Sequence, residues 1–122
     1  PFHCTASGKL HLSTLSKDEV RHLIEVAGLT QFSVETITSI DALEAELEVI
    51  RGQGFAIDHQ EFLAGTIAVG VPVFDFKRRL SLILTVQAPI FRLPLDAVER
   101  CLPVLREAAN RLELMMQPDA AS

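Results

Sequence analysis

Only two of the 122 residues are cysteine, Cys4 and Cys101, and they lie far apart. That excludes a disulfide-stapled miniature fold and supplies no Cys-x-x-Cys pair, so two free thiols in a reducing compartment are expected. His3 and Cys4 are adjacent metal-ligand types, but nothing near them completes a donor set. No metal and no cofactor is therefore expected. Cations are scarce as well: 11 Lys and Arg against 16 Asp and Glu leave a net charge of −5 at pH 7. Binding to nucleic acid needs a basic face to meet phosphates. The one basic cluster, Lys77-Arg78-Arg79, sits between two apolar runs, where a solvated turn is the simpler reading. No apolar run approaches the roughly 20 residues that a membrane-spanning helix requires. The opening Pro1-Phe2-His3-Cys4 has no basic segment leading into an apolar one, so a soluble cytoplasmic chain is expected. Internal repeats, low-complexity stretches, phosphate-binding loops and dinucleotide glycine fingerprints are all lacking.

What is present is a core. Hydrophobic residues make up 48% of the chain and mean hydropathy is +0.28, which favours a compact single domain over disorder. Residues 1–116 read as that domain, and 117–122 as a small polar tail. A short helix is expected from Thr5 to Leu15. Ser16-Lys17-Asp18-Glu19 then forms a capping box, followed by Val20, Leu23, Ile24 and Ala27 at helical spacing and Gly28 as a stop. Thr30 to Ile37 reads as a connector, with a short extended stretch allowed. Ser39 caps a third helix whose stripe is Ile40, Leu43, Leu47 and Ile50, ending at Gly52.

The period then changes to two. Gly54 to Asp58 reads as a short strand, and Thr66 to Phe74 and Leu80 to Gln87 as a hairpin joined by the basic turn. Ile67, Val69, Val71 and Val73 face one way, as do Leu80, Leu82, Leu84 and Val86. The final helix is expected from about Pro94 to Met116, kinked at Pro103. Helices, then sheet, then helix predict an α+β domain with an antiparallel sheet flanked by helices.

The second face of the two long strands gathers Ala68, Gly70, Thr85 and Gln87. Small residues leave space, and a hydroxyl with a carboxamide puts polar groups in it, as a small polar ligand requires. The same face could equally look at solvent or at another chain. Ala6-Ser7-Gly8 at a helix start offers free N–H groups that suit a carboxylate, or forms an ordinary cap. Asp58, at a strand end, either lines the same cavity or caps the following turn. Catalysis is not expected: Ser7, His3 and Asp58 hold the types for a triad, but no nucleophile-elbow pattern surrounds Ser7. His11, His22 and His59 read as surface histidines.

Several stretches together resemble the effector-binding domain of the IclR family of transcriptional regulators. They are His3-Cys4-Thr5-Ala6-Ser7-Gly8-Lys9, Glu35-Thr36-Ile37-Thr38 and the run from Leu47 through Arg51, Gly54, Phe55 and Ala56 to Asp58. Glu61, Gly65, Val71-Pro72-Val73-Phe74-Asp75, and Gln87-Ala88-Pro89 before Arg92 complete the series. The resemblance implies a GAF-like domain that binds a small, often carboxylate, effector. It also implies a homodimer or homotetramer that acts on DNA only through a winged helix-turn-helix absent from this chain. Carried over by position, the ligand contacts fall on Ala6, Ser7, Asp58, Ala68, Thr85 and Gln87, the positions already read as small or polar. Many members carry cysteine in place of Ala68, serines in place of Thr85 and Gln87, and glycine in place of Ala88, so no member's ligand is carried over. Family domains also have strands upstream of His3, so part of the sheet and pocket wall is expected outside this chain, leaving an unpaired edge. The competing reading is an interaction module that assembles oligomers around a vestigial cavity.

Overall fold

The computed structural model describes residues 1–118. Residues 119–122 of the expected tail lie outside the described residues. Four helices and three strands follow in order: α1 (Ala6–Ser13), α2 (Lys17–Ala27), α3 (Ile40–Gln53), β1 (Ala56–His59), β2 (Thr66–Phe74), β3 (Leu80–Pro89), a single 3-10 turn (Leu95–Ala97) and α4 (Val98–Met115). The α+β class holds, with one antiparallel sheet in the order β1-β2-β3.

Local chemistry sets most of these ends. Thr5 caps α1, with its Oγ1 accepting the Gly8 N–H at 3.0 Å. The capping box of α2 is complete: Ser16 Oγ accepts the Glu19 N–H and Glu19 Oε1 accepts the Ser16 N–H. Gly28, at φ +77°, ends that helix. Ser39 caps α3 through the Ala42 N–H.

Several expected boundaries shift. Gly52 lies within α3, and the stop is Gly54, whose φ of +80° and N–H bond to the Ile50 carbonyl close the last turn. β1 correspondingly starts at Ala56. Pro94 precedes the 3-10 turn rather than opening α4, which begins at Val98 and runs unbroken past Pro103. The 30–37 connector forms turns with no strand.

The sheet separates two cores. On one face Ile67, Val69, Val71 and Val73 of β2 pack on Val98, Leu105 and Ala109 of α4. On the other, Ala56 and Ala68 join Ala6, Leu10 and Leu12 of α1, Val20 of α2, and Leu43, Leu47 and Ile50 of α3. Among the described residues only β2 is an inner strand. β3 reads as an equal partner in sequence, yet it is an edge: Leu82 and Val86 are 48% and 36% exposed despite facing the α4 side. The α1-facing side of β2, read in sequence as a pocket wall, a solvent face or a contact with another chain, is packed into the core at Ala68 and Gly70.

Candidate functional site

Two glycines set the packing at the start of α1: Gly8 lets the preceding segment fold against the helix, and Gly70 lets the helix lie close against the sheet. A Cβ on Gly8 would meet the Phe2 backbone at 2.6 Å, so the turn into the helix has room only for hydrogen there. A Cβ on Gly70 would meet Leu10 at 3.1 Å and Ala6 at 3.5 Å. Ala6 and Leu10 thus occupy the space above Gly70. The smallness of that strand position serves helix packing as well as any ligand.

Antiparallel register arranges the remaining candidates in rows. Asp58 pairs with Ala68, and Ala68 with Gln87; in the next row Ala56 pairs with Gly70, and Gly70 with Thr85. Directly opposed residues share a face, so Asp58, Ala68, Gln87 and Thr85 all lie on the α1 side of the sheet, together with Ala6. At the usual strand spacing the Asp58 and Gln87 backbones stand about 10 Å apart with only a methyl group between. Asp58 and Ala68 are buried, whereas Thr85 and Gln87 are exposed on the edge strand. Ser7 is turned away from this group. It is exposed and lines a shallow cleft of about 230 Å³ with Pro1, Phe2, Thr5 and Gly8. Five of the six candidates therefore share one face, and Ser7 borders it from the helix start.

Asp58 does cap the following turn, since its Oδ1 accepts the Glu61 N–H at 2.8 Å. Burial pushes its carboxyl above the ordinary value, partly offset by the amides of the turn and by the Lys9 ammonium. Glu61 is pushed up by burial too and drawn back by Lys9.

In sequence Lys9 stands only as part of a motif, yet it organises the region. It is fully buried. Its Nζ donates to the Ile57 carbonyl at 2.6 Å, to both Glu61 oxygens at 2.9 Å, and to Glu46 at 3.4 Å. An ammonium carries three N–H groups, and here three acceptor groups from β1, the 60–65 turn and α3 receive them. A signal for it existed: Lys9 lies one helical turn from Ala6 and from Leu12, both on the inward face. The Glu61 carbonyl in turn accepts the Ser33 and Thr36 hydroxyls, which holds the 30–37 connector to this turn.

The other chemistry-bearing types are absorbed by structure. His3 is buried with Nε2 2.8 Å from the Thr30 carbonyl. Cys4 is buried, and burial raises its thiol. Among the described residues no three His, Cys, Asp or Glu side chains converge as a metal site.

Residues 1–114 match the family model described as bacterial transcriptional regulator IclR C-terminal. The chain belongs to this family. Among its relatives, the probable transcriptional regulator SauR of Cupriavidus necator is 39% identical over 112 residues, covering 92% of this chain and 44% of that protein. The HTH-type transcriptional regulator KdgR of Escherichia coli is 30% identical over 116 residues, covering 95% and 44% respectively. These relatives are regulators rather than enzymes, and the chain spans under half of their length. Of solved structures, the inducer-binding domain of the Acinetobacter transcription factor PobR, a double mutant in complex with 3-hydroxybenzoic acid, superposes with a TM-score of 0.88 at 30% identity. The match covers 93% of this chain and 65% of that one. The C-terminal domain of E. coli KdgR gives a TM-score of 0.87 at 30% identity over 97% of this chain and 72% of that one. The chain is thus an IclR-type C-terminal domain in fold and family. No helix among the described residues is long and apolar enough to cross a membrane.

Proposed function

We propose that the chain senses a small carboxylate metabolite for a bacterial IclR-type transcriptional regulator. Its ligand lies on the α1 side of the sheet, and occupancy is passed to a winged helix-turn-helix outside these 122 residues. The observation that carries this reading is the row Asp58–Ala68–Gln87, with Thr85 and Ala6 beside it. It sets a carboxyl and a carboxamide on either side of a methyl group, next to a helix start. Free N–H groups in the first turn of α1 favour a carboxylate, while Asp58 and Gln87 offer partners to a hydroxyl or oxo group. The complex of the PobR domain with 3-hydroxybenzoic acid, a carboxylate bearing a hydroxyl, supports the class and not the compound. A net charge of −5 leaves the chain no basic surplus to meet phosphates, which supports a grip on DNA through another part of the regulator.

The test is thermal unfolding of the protein as its gene encodes it, against a panel of small hydroxy-, oxo- and aromatic acids that includes 3-hydroxybenzoic acid. A ligand at a hundred times its Kd adds about 2.7 kcal/mol to stability, a shift of several degrees. Gln87→Ala and Thr85→Val should abolish the shift without lowering the unliganded Tm. A panel that moves nothing would sink the sensing role.

A second reading, assembly into homodimers or homotetramers through this domain, is favoured by one feature. β3 presents both an unpaired edge and exposed Leu82 and Val86, a surface that invites another strand or chain.

A further inference from the structure

We infer that the buried Lys9–Glu61 pair is a positioning device for Asp58: it fixes the turn that the Asp58 carboxyl caps and sets the charge with which that carboxyl meets a ligand. The inference rests on the reading that Asp58 faces the ligand, and it adds residues that no ligand need touch.

The geometry runs through four contacts. Lys9 Nζ holds the Ile57 carbonyl, the residue immediately before Asp58, at 2.6 Å. It holds both oxygens of Glu61 at 2.9 Å. Glu61 in turn donates its N–H to Asp58 Oδ1 at 2.8 Å and accepts the His59 N–H at 3.1 Å. Asp58 is thus bracketed on either side by groups tied to one ammonium. That ammonium belongs to α1, the helix whose first turn contributes Ala6 and Ser7.

The charges around Asp58 come from few elements. Lys9 reaches it from α1, Glu61 and His59 from the turn and the end of β1, and the Cys4 thiol from the segment before α1. Glu46 of α3 acts on it through Lys9. From β2 and β3 only the uncharged Ala68 and Gln87 lie in its row. Lys9 is the one cation fully buried among these groups, and Glu61 is its most closely held counter-charge.

The consequence for specificity is chemical. An ionised Asp58 accepts a hydrogen bond from a hydroxyl and repels a carboxylate, whereas a protonated one donates to a carboxylate oxygen. Lys9 favours the first state, and Glu61 tempers Lys9 by neutralising it. The balance between the two selects which end of a hydroxy acid Asp58 meets.

Two variants separate this from plain structural support, because they should move Asp58 in opposite directions. The Asp58 carboxyl is followed by carboxyl-carbon NMR across pH on the gene-encoded protein, its signal identified by its loss in Asp58→Asn. Lys9→Met removes the cation and should raise the midpoint; Glu61→Gln frees the cation to act on Asp58 and should lower it, each by about half a pH unit or more. Merely structural residues would lower the melting temperature in both variants and leave the midpoint in place, and that result overturns the inference. Should Lys9→Met fail to fold, Glu61→Gln decides alone, since its amide keeps an acceptor for Lys9: a fall supports the device, and no change or a rise defeats it. No ligand enters this measurement. An unmoved midpoint beside intact acid-dependent melting shifts removes the coupling and leaves the site, while the converse removes the site and leaves the coupling.

Discussion

Asp58 keeps a carboxyl in the interior without a cation of its own, since Lys9 directs its three N–H groups to Ile57, Glu61 and Glu46. An interior carboxylate is costly to leave ionised, and a fold maintains such a group most readily where function uses it. The sign of its pH dependence follows from the direction of its shift. Burial raises the native value above the unfolded one, so native Asp58 holds its proton where the unfolded chain has lost it. The stability this contributes is fully present below the unfolded value and is lost as pH rises through the native one. Asp58→Asn keeps the oxygen that caps the Glu61 N–H and cannot ionise. It should therefore melt higher than the natural protein at about pH 7.5, with the gap closing toward about pH 4. Calorimetry at both pH values checks this, and a gap that widens toward acid would show the carboxylate to be the favoured native form.

Among the elements, α1 and β2 pack closely at Gly70, where the first turns of the helix lie against the strand. Gly70→Val would insert a branched side chain against Leu10, Ala6 and Thr85. Overpacking of this kind costs about 1–3 kcal/mol, and it should lift the start of α1 from the candidate site. Denaturant unfolding should show that loss, and acid-dependent melting shifts should weaken more than the stability change alone accounts for. Equal stability in this variant would mean the helix rides loosely on the sheet. Gly70 also shows what was legible in the sequence and what was not. Its place on the small-residue face, the Ser16–Glu19 box and the stripe Leu43, Leu47 and Ile50 are local patterns, and each appears in the structure. The covering of that face by Leu10 is a tertiary fact, invisible to periodicity. So is the rank of β3, because an edge strand and an inner strand alternate identically. Gly52 and Gly54 both suit a helix stop after Ile50, and only the φ of +80° at Gly54 decides between them. Of the candidate site, residue types and the alternation of faces were legible, whereas the register that sets Asp58, Ala68 and Gln87 in one row was not; Lys9 escaped because a lysine in sequence reads as surface, and only the convergence of Ile57, Glu46 and Glu61 makes it interior.

For the whole molecule, a three-stranded sheet is lopsided. One face of β2 is sealed by α4 and the other by α1, but β3 carries its hydrogen-bonding edge and the side chains of Leu82, Thr85, Val86 and Gln87 to the outside. Natural sheets protect such edges with charge, proline or a covering element. Here the flanking Lys77-Arg78-Arg79 lies in the turn before β3, and Pro89 sits at its far end, so the middle of the strand is unguarded. The relatives extend well beyond the matched portion, and further strands of a regulator would fit against this edge. Expressed alone, the 122-residue chain should therefore self-associate through β3. Lysine at Leu82 and Val86 places charge on both exposed apolar positions, and each exposed substitution should change stability by no more than about 0.5 kcal/mol. Light scattering with size-exclusion chromatography should then show the double variant shifted toward monomer at equal Tm. Association that persists unchanged would place the contact on another surface, with exposed Val104 and Met115 of α4 the next to substitute. Because Thr85 and Gln87 lie on the same strand, whatever pairs with β3 also borders the candidate ligand site, and assembly and sensing would then share one edge.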